Sequence, residues 1–215
     1  EYNYNKVYYD NQTYDAKNLE KFYKDQFEEH ILIAQRTEER IYESFENIVQ
    51  ICVRAIKKNK KIIIFGNGGS ASDAQHIATE LTVRFSKNRK AIAAIAITTD
   101  TSALTAIGND LGFKFLFSRQ IEAIANQGDV AFGITTSGRS ENIIIALKEA
   151  KKMKLSTIAF CGKNTKRLDK ITDEIVSIPA INTSRIQEMH ITIGQMLCNA
   201  IENDLKLSHF VKSET

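Results

Sequence analysis

Five short apolar runs limit most strongly what this chain can fold into. They are "KIIIFGNGGS" (61–70), "AIAAIAIT" (91–98), "DVAFGITT" (129–136), "STIAFCG" (156–162) and "EIVSIP" (174–179). Each is unbroken by polar residues at the two-residue period of a half-exposed strand, so each reads as a strand buried on both faces. Helical patterns separate them at 73–85, 101–107, 115–126 and 140–153, and a last one runs from Ser184 to Phe210. Buried strands alternating with helices predict a parallel sheet covered on both sides, a three-layer α/β/α sandwich with five parallel strands and right-handed crossovers. In such sheets ligands bind beyond the carboxyl ends of the strands, so the segments after strands one and three are expected to share a crevice.

A long helical stretch comes before the first strand. Phe22, Phe27, Ile31, Ile41, Phe45, Ile48, Val49, Cys52 and Ile56 recur at helical spacings between residues 16 and 59. This is more helix than one sheet face needs, and a partner subunit would cover the surplus. Residues 1–15 read as a polar, aromatic extension and residues 16–215 as one domain. A net charge of +3 among 215 residues is too small to argue for nucleic acid or a membrane, and neither is expected as partner. Cys52, Cys161 and Cys198 are scattered, without CxxC spacing, and read as buried thiols of a reducing compartment. The first residues lack the apolar run of a signal peptide, so a cytoplasmic location is expected.

The stretch "ITTSGRSENIIIALKEA" (134–150) turns from strand three into a helix through Thr135, Thr136, Ser137, Gly138 and Ser140. Hydroxyls there can donate to phosphate oxygens alongside the free N–H groups of the helix's first turn. The plainer reading, an N-cap at Ser137 or Ser140, accounts for one hydroxyl and leaves three. The loop "GNGGS" (66–70) matches neither a Walker A nor a dinucleotide pattern. Asn67 and Ser70 are suited to a polyhydroxy substrate, and Gly68 and Gly69 would let it approach closely.

In "DAQHIATEL" (73–81), His76 and Glu80 lie four apart on one helix face, a pair able to share a metal ion, best matched by zinc. The same spacing also suits a surface hydrogen bond. In "SRIQEMHITIGQML" (184–197), Gln187, Gly194 and Gln195 lie within about a quarter turn of one another. An amide oxygen can ligate zinc. On the residues alone, two satisfied polar residues of a helix packed on another subunit are the better reading of Gln187 and Gln195.

Taken together, "GNGGSASDAQHIATEL", "TTDTSALTAIGNDLGF", "TTSGRS" and "RIQEMHI" resemble the phosphoheptose isomerases of the sugar isomerase (SIS) domain family, over residues 30 to 205. The resemblance implies a flavodoxin-like fold with long N- and C-terminal helices, and a homotetramer with active sites at subunit interfaces. It implies an isomerase that converts sedoheptulose 7-phosphate to D-glycero-D-manno-heptose 7-phosphate through a cis-enediol, on the way to lipopolysaccharide or capsule heptose. By motif position it implies that Asn67, Gly68, Gly69, Ser70, Asn109 and Asp110 contact the sugar phosphate. Thr135, Thr136, Ser137 and Ser140 would hold the phosphate, with Arg84 nearby. His76, Glu80 and Gln187 would ligate one zinc ion per subunit, and Glu80 would be the catalytic base and touch substrate, as would Gln187.

The chain departs from this pattern at Gln195, where the family has a histidine that ligates zinc and transfers protons. Glutamine can still offer its oxygen to a metal, but it cannot carry a proton. Thr135 replaces a frequent serine and keeps the hydroxyl. The change at Gln195 leaves three accounts open: an engineered substitution that traps substrate, a natural one in which water or Glu80 carries the second proton step, or a catalytically impaired tetramer serving as a scaffold that binds the replication initiator protein.

Overall fold

The computed structural model describes residues 18–86 and 88–205. The extension at 1–15 and the end of the last predicted helix, 206–210, lie outside the described residues. The elements run α1 (Leu19–Lys57), β1 (Ile62–Gly66), α2 (Gly69–Thr82), β2 (Ala94–Ala96), α3 (Thr101–Asp110), a 3-10 turn (Phe113–Phe115), α4 (Ser118–Ile124), β3 (Val130–Thr135), α5 (Glu141–Lys152), β4 (Ser156–Cys161), β5 (Glu174–Ser177) and α6 (Thr183–Asp204).

The five strands form one parallel sheet in the order β2-β1-β3-β4-β5. β1 and β3 are adjacent, with Gly66 in register with Ile134, and the chain's winding reverses between them. In parallel α/β sheets such a switch point, at the strands' carboxyl ends, is where ligands bind. The central strands β1 and β3 are buried at every position, as their unbroken apolar runs predict.

Alternate residues of each strand serve two cores. Ile62, Ile64, Phe132, Ile134 and Phe160 pack under α1, α2 and α6. Ile63, Phe65, Ala131, Ala159 and Cys161 pack under the layer of α3, α4 and α5. β2 is shorter than its apolar run, three residues in place of eight, because it is an edge strand paired only with β1. Ile92 and Ile97 of that run are still buried, beyond the paired residues.

α1 is 39 residues long and begins at Asn18, whose side chain accepts the Lys21 N–H. Its inner stripe includes Ile33, Ile41, Ile48, Val49 and Cys52. Its N-terminal half is tied to α6: the Arg185 guanidinium donates to the Gln26 carbonyl at 2.9 Å, and His30 Nδ1 lies 2.8 Å from Glu188 Oε2. The other face exposes Leu19, Tyr23, Phe27, Ile31 and Tyr42. All three cysteines are free and buried, and burial pushes their thiols up to about 12. Among the described residues no helix is long and apolar enough to cross a membrane.

Candidate active site

Two loops meet at the switch point. The loop after β1 enters α2 through Gly68, whose φ of +57° is costly for any residue with a Cβ. The loop after β3 enters α5 through Gly138, at φ +62°. A side chain at Gly138 would also strike the carbonyl oxygen of Asn164. The loops are joined by a reciprocal amide pair. Asn67 Nδ2 donates to Asn142 Oδ1 at 2.9 Å, and Asn142 Nδ2 donates back to Asn67 Oδ1 at 2.8 Å. Asn142 is 2% exposed, so this pair satisfies amides that burial would otherwise penalise. It holds the two loops at one spacing.

Sequence reasoning assigned Asn142 no role. The available signal was a polar residue opening the buried face of α5, directly before Ile143 and Ile144.

Within the second loop, Ser140 occupies the N-cap position of α5, yet its side chain makes no capping bond. Its Oγ lies instead 3.2 Å from Thr135 Oγ1. The Ser140 side chain therefore does not cap the helix, and in the first turn of α5 the Ile143 N–H donates to the Ser140 carbonyl at 3.1 Å. Ser137 is exposed, and its Oγ accepts the Arg139 N–H at 3.2 Å. Thr135 is buried at the strand end and Thr136 half-buried. The acid beside this loop, Glu141, is paired with Arg167 at 2.8 Å. Ser70 is buried in the first turn of α2.

α2 and α6 lie side by side and run in the same direction. A Cβ on Gly69 would collide with the Gln187 amide, and one on Gly194 would press on Ile77. The glycine at 194 lets the helices close there, and beside it Gln195 reaches His76, with Gln195 Nε2 2.8 Å from His76 Nε2. The same imidazole nitrogen is 3.2 Å from Glu80 Oε1. His76 is about half exposed and Glu80 is 23% exposed.

One chain thus brings His76, Glu80 and Gln195 to a point. Gln187 stands by Gly69, two helical turns away, because eight residues of α6 span about 12 Å. Two ligands of a tetrahedral zinc site are separated by about 3.3 Å. The distances around His76 Nε2 suit a metal held by His76, Glu80 and, with its amide turned, the Gln195 oxygen. Among the described residues no three His, Cys, Asp or Glu side chains gather at one point, so such a site depends on the amide.

Asp73, one turn before His76, is half-buried. Burial raises its carboxyl to about 6, with His76 pulling the other way. His190, five residues before Gln195, is fully buried with its ring 5.7 Å from that of Phe160 and the Cys161 backbone beside it. It belongs to the core under α6 rather than to the His76 cluster.

Asn109 and Asp110 lie at the exposed end of α3, bonded to each other at 2.8 Å. Among the described residues neither side chain bonds to the loops at 67–70 or 135–140. Arg84 is exposed on the segment that leaves α2.

Residues 25–162 match the SIS domain family. The chain is 48% identical over 182 residues to the phosphoheptose isomerase of Nitratiruptor sp., covering 83% of this chain and 97% of that protein. It superposes on the structure of a phosphoheptose isomerase from Neisseria gonorrhoeae with a TM-score of 0.82 at 38% identity, covering 86% of this chain and 99% of the other. A phosphoheptose isomerase structure from Francisella tularensis gives 0.80 at 31% identity, covering 85% and 97%. With the switch point, the two loops and the His76–Glu80 pair in place, this chain belongs to the phosphoheptose isomerase branch of the SIS domain family.

Proposed function

We propose that this sugar-phosphate isomerase acts on sedoheptulose 7-phosphate and yields D-glycero-D-manno-heptose 7-phosphate. The observation that carries the reading is the pair of loops locked by Asn67 and Asn142 beside a helix that presents Glu80. One loop offers hydroxyls and helix N–H groups to a phosphate. The other offers Asn67 and Ser70 to sugar hydroxyls. The retained phosphate loop and His76–Glu80 pair favour turnover over the scaffold role, which needs neither.

Isomerisation of a ketose to an aldose moves a proton between neighbouring carbons and shifts the oxygen protons with it. The Glu80 carboxylate is the base: it takes the carbon-bound proton and returns it to the adjacent carbon. Its partial burial limits competing water. The Gln195 amide can donate a hydrogen bond to an oxygen of the enediolate but cannot transfer the proton, which assigns the second proton step to Glu80 or water. His76, Glu80 and the Gln195 oxygen would hold a zinc ion, which supplies polarisation of the substrate oxygens when bound. Gln187 of the same chain is too far along α6 to join them. The exposed apolar stripe on α1 supports a homotetramer, in which a second copy covers it.

Isomerisation of sedoheptulose 7-phosphate in deuterated water tests the reading. An enediol route places deuterium from solvent on the product carbon. Product without solvent deuterium would count against a Glu80-mediated route through solvent-exchangeable protons.

A further inference from the structure

Arg89 and Glu202 form an ion pair with both side chains fully buried, Arg89 Nε lying 3.3 Å from Glu202 Oε2. Neither residue belongs to the loops or to the His76 cluster, yet the pair touches the backbone of Glu80 and of the segment that follows it. The Arg89 guanidinium donates to the Glu80 carbonyl at 2.8 Å and to the Leu81 carbonyl at 2.9 Å. It therefore caps the last turn of α2 at the residue that serves as base. A cation is well placed there, where the helix dipole is negative and the last carbonyls lack helical partners.

Glu202 sits on α6, less than two turns beyond Gln195. Its carboxylate accepts the Phe85 N–H at 3.1 Å and the Ser86 N–H at 3.3 Å. Those amides follow Arg84 directly. One buried pair thus fixes the backbone of Glu80, the segment carrying Arg84, and the spacing between the helices that bring His76 and Gln195 together.

A fully buried ion pair is a poor source of net stability, since the desolvation of two charges offsets their attraction and apolar replacements often fold as well or better. Its contacts here are directional and end on the backbone of the proposed base. We infer that Arg89 and Glu202 are positioning residues for the isomerisation. Arg89 sets the placement of Glu80, and Glu202 sets that of Arg84 and of α6 against α2. This rests on the isomerase reading above.

The test compares the wild-type chain with Arg89→Met/Glu202→Leu, which replaces the pair by apolar groups, and with Arg89→Lys, which keeps the charge but loses the two-pronged donor. Far-UV circular dichroism and thermal melting check the fold. Turnover of sedoheptulose 7-phosphate gives kcat and KM, and NMR of the His76 ring nitrogens reports the contact with Gln195. A displacement on the order of 1 Å at a reacting group costs about 100-fold in rate. The expected result is a fall of that order in kcat for folded variants, a higher KM in the double variant as Arg84 loosens, and a moved His76 Nε2 signal.

Folded variants with kcat and KM within twofold of wild type and an unmoved His76 signal would overturn the inference. If the double variant does not fold, Arg89→Lys decides by the same readouts. If wild type shows no turnover, the isomerase reading fails, and the His76 signal still tests whether the pair sets the helix contact.

Discussion

Gln195 Nε2 lies 2.8 Å from His76 Nε2, across the seam between α6 and α2. Two nitrogens at that distance need one proton between them. With the amide as donor, His76 must be neutral and carry its proton on Nδ1. In that tautomer the single Nε2 lone pair accepts the amide hydrogen, and the contact with Glu80 Oε1, 3.2 Å away, becomes a hydrogen bond only when Nε2 carries the proton instead. The amide can rotate to present its oxygen, and then imidazole, carboxylate and amide all point electron pairs at one place. A histidine at position 195 would add a proton carrier to the same geometry.

Glu80→Gln removes the proposed base and leaves a side chain of nearly the same shape. Turnover is expected to fall by about 100-fold or more, the usual scale of a lost general base. The partly exposed position means that the melting temperature changes little. Steady-state kinetics beside a melting curve check both halves, and a kcat near wild type would remove Glu80 from the mechanism.

Ser137→Ala deletes one exposed hydroxyl of the phosphate loop. Hydrogen bonds to a charged group contribute about 1.5 to 3 kcal/mol, so KM for the sugar phosphate is expected to rise by about tenfold or more with kcat less affected. An unchanged KM would show that Ser137 does not touch the phosphate.

Gly138→Ala acts through the backbone. The left-handed conformation at φ +62° costs an alanine about 1 to 2 kcal/mol, and its Cβ meets the Asn164 carbonyl as well. The expected outcome is a lower melting temperature together with weaker binding of inorganic phosphate, read by calorimetry. Normal phosphate affinity in the folded variant would mean that the loop tolerates another shape.

His190 gives the fold an acid-sensitive element. Burial pulls its imidazole down from 6.5 to about 4, with the Cys161 backbone opposing. Above pH 6.5 the ring is neutral in both folded and unfolded chains, and the fold keeps its full stability. As pH falls from 6.5 toward 4, the unfolded chain binds a proton that the fold excludes, and stability drops by about 3 kcal/mol. Urea unfolding at pH 7 and pH 4.5 should show this loss in wild type and a reduced loss in His190→Leu. Parallel losses in the two proteins would place the acid sensitivity elsewhere.

The central strands were legible because burial on both faces leaves an unbroken apolar run, and β1 and β3 sit where Ile62–Gly66 and Val130–Thr135 indicate. The edge strand β2 was not delimited, since Ile92 and Ile97 are buried and apolar beyond the paired residues Ala94–Ala96, and the Ile97 N–H still donates to the Ile64 carbonyl at 3.1 Å. The helix pattern placed Gln187 and Gln195 on one face, correctly in angle. Angular spacing conceals axial rise, about 12 Å for eight helical residues, and the structure sets Gln187 by Gly69 and Gln195 by His76. Asn142 and the Arg89–Glu202 pair were invisible as functional elements. Their partners are 75 and 113 residues away in sequence, and no periodicity carries information about contacts that only the finished fold creates.

The most direct measurement is turnover of sedoheptulose 7-phosphate by the purified chain, followed by NMR with zinc added and with zinc chelated, beside Gln195→His. Zinc-dependent turnover by the chain as it stands, rising in Gln195→His, is the predicted result. No turnover by either protein with zinc present would contradict the account, and with it the isomerase reading of this site.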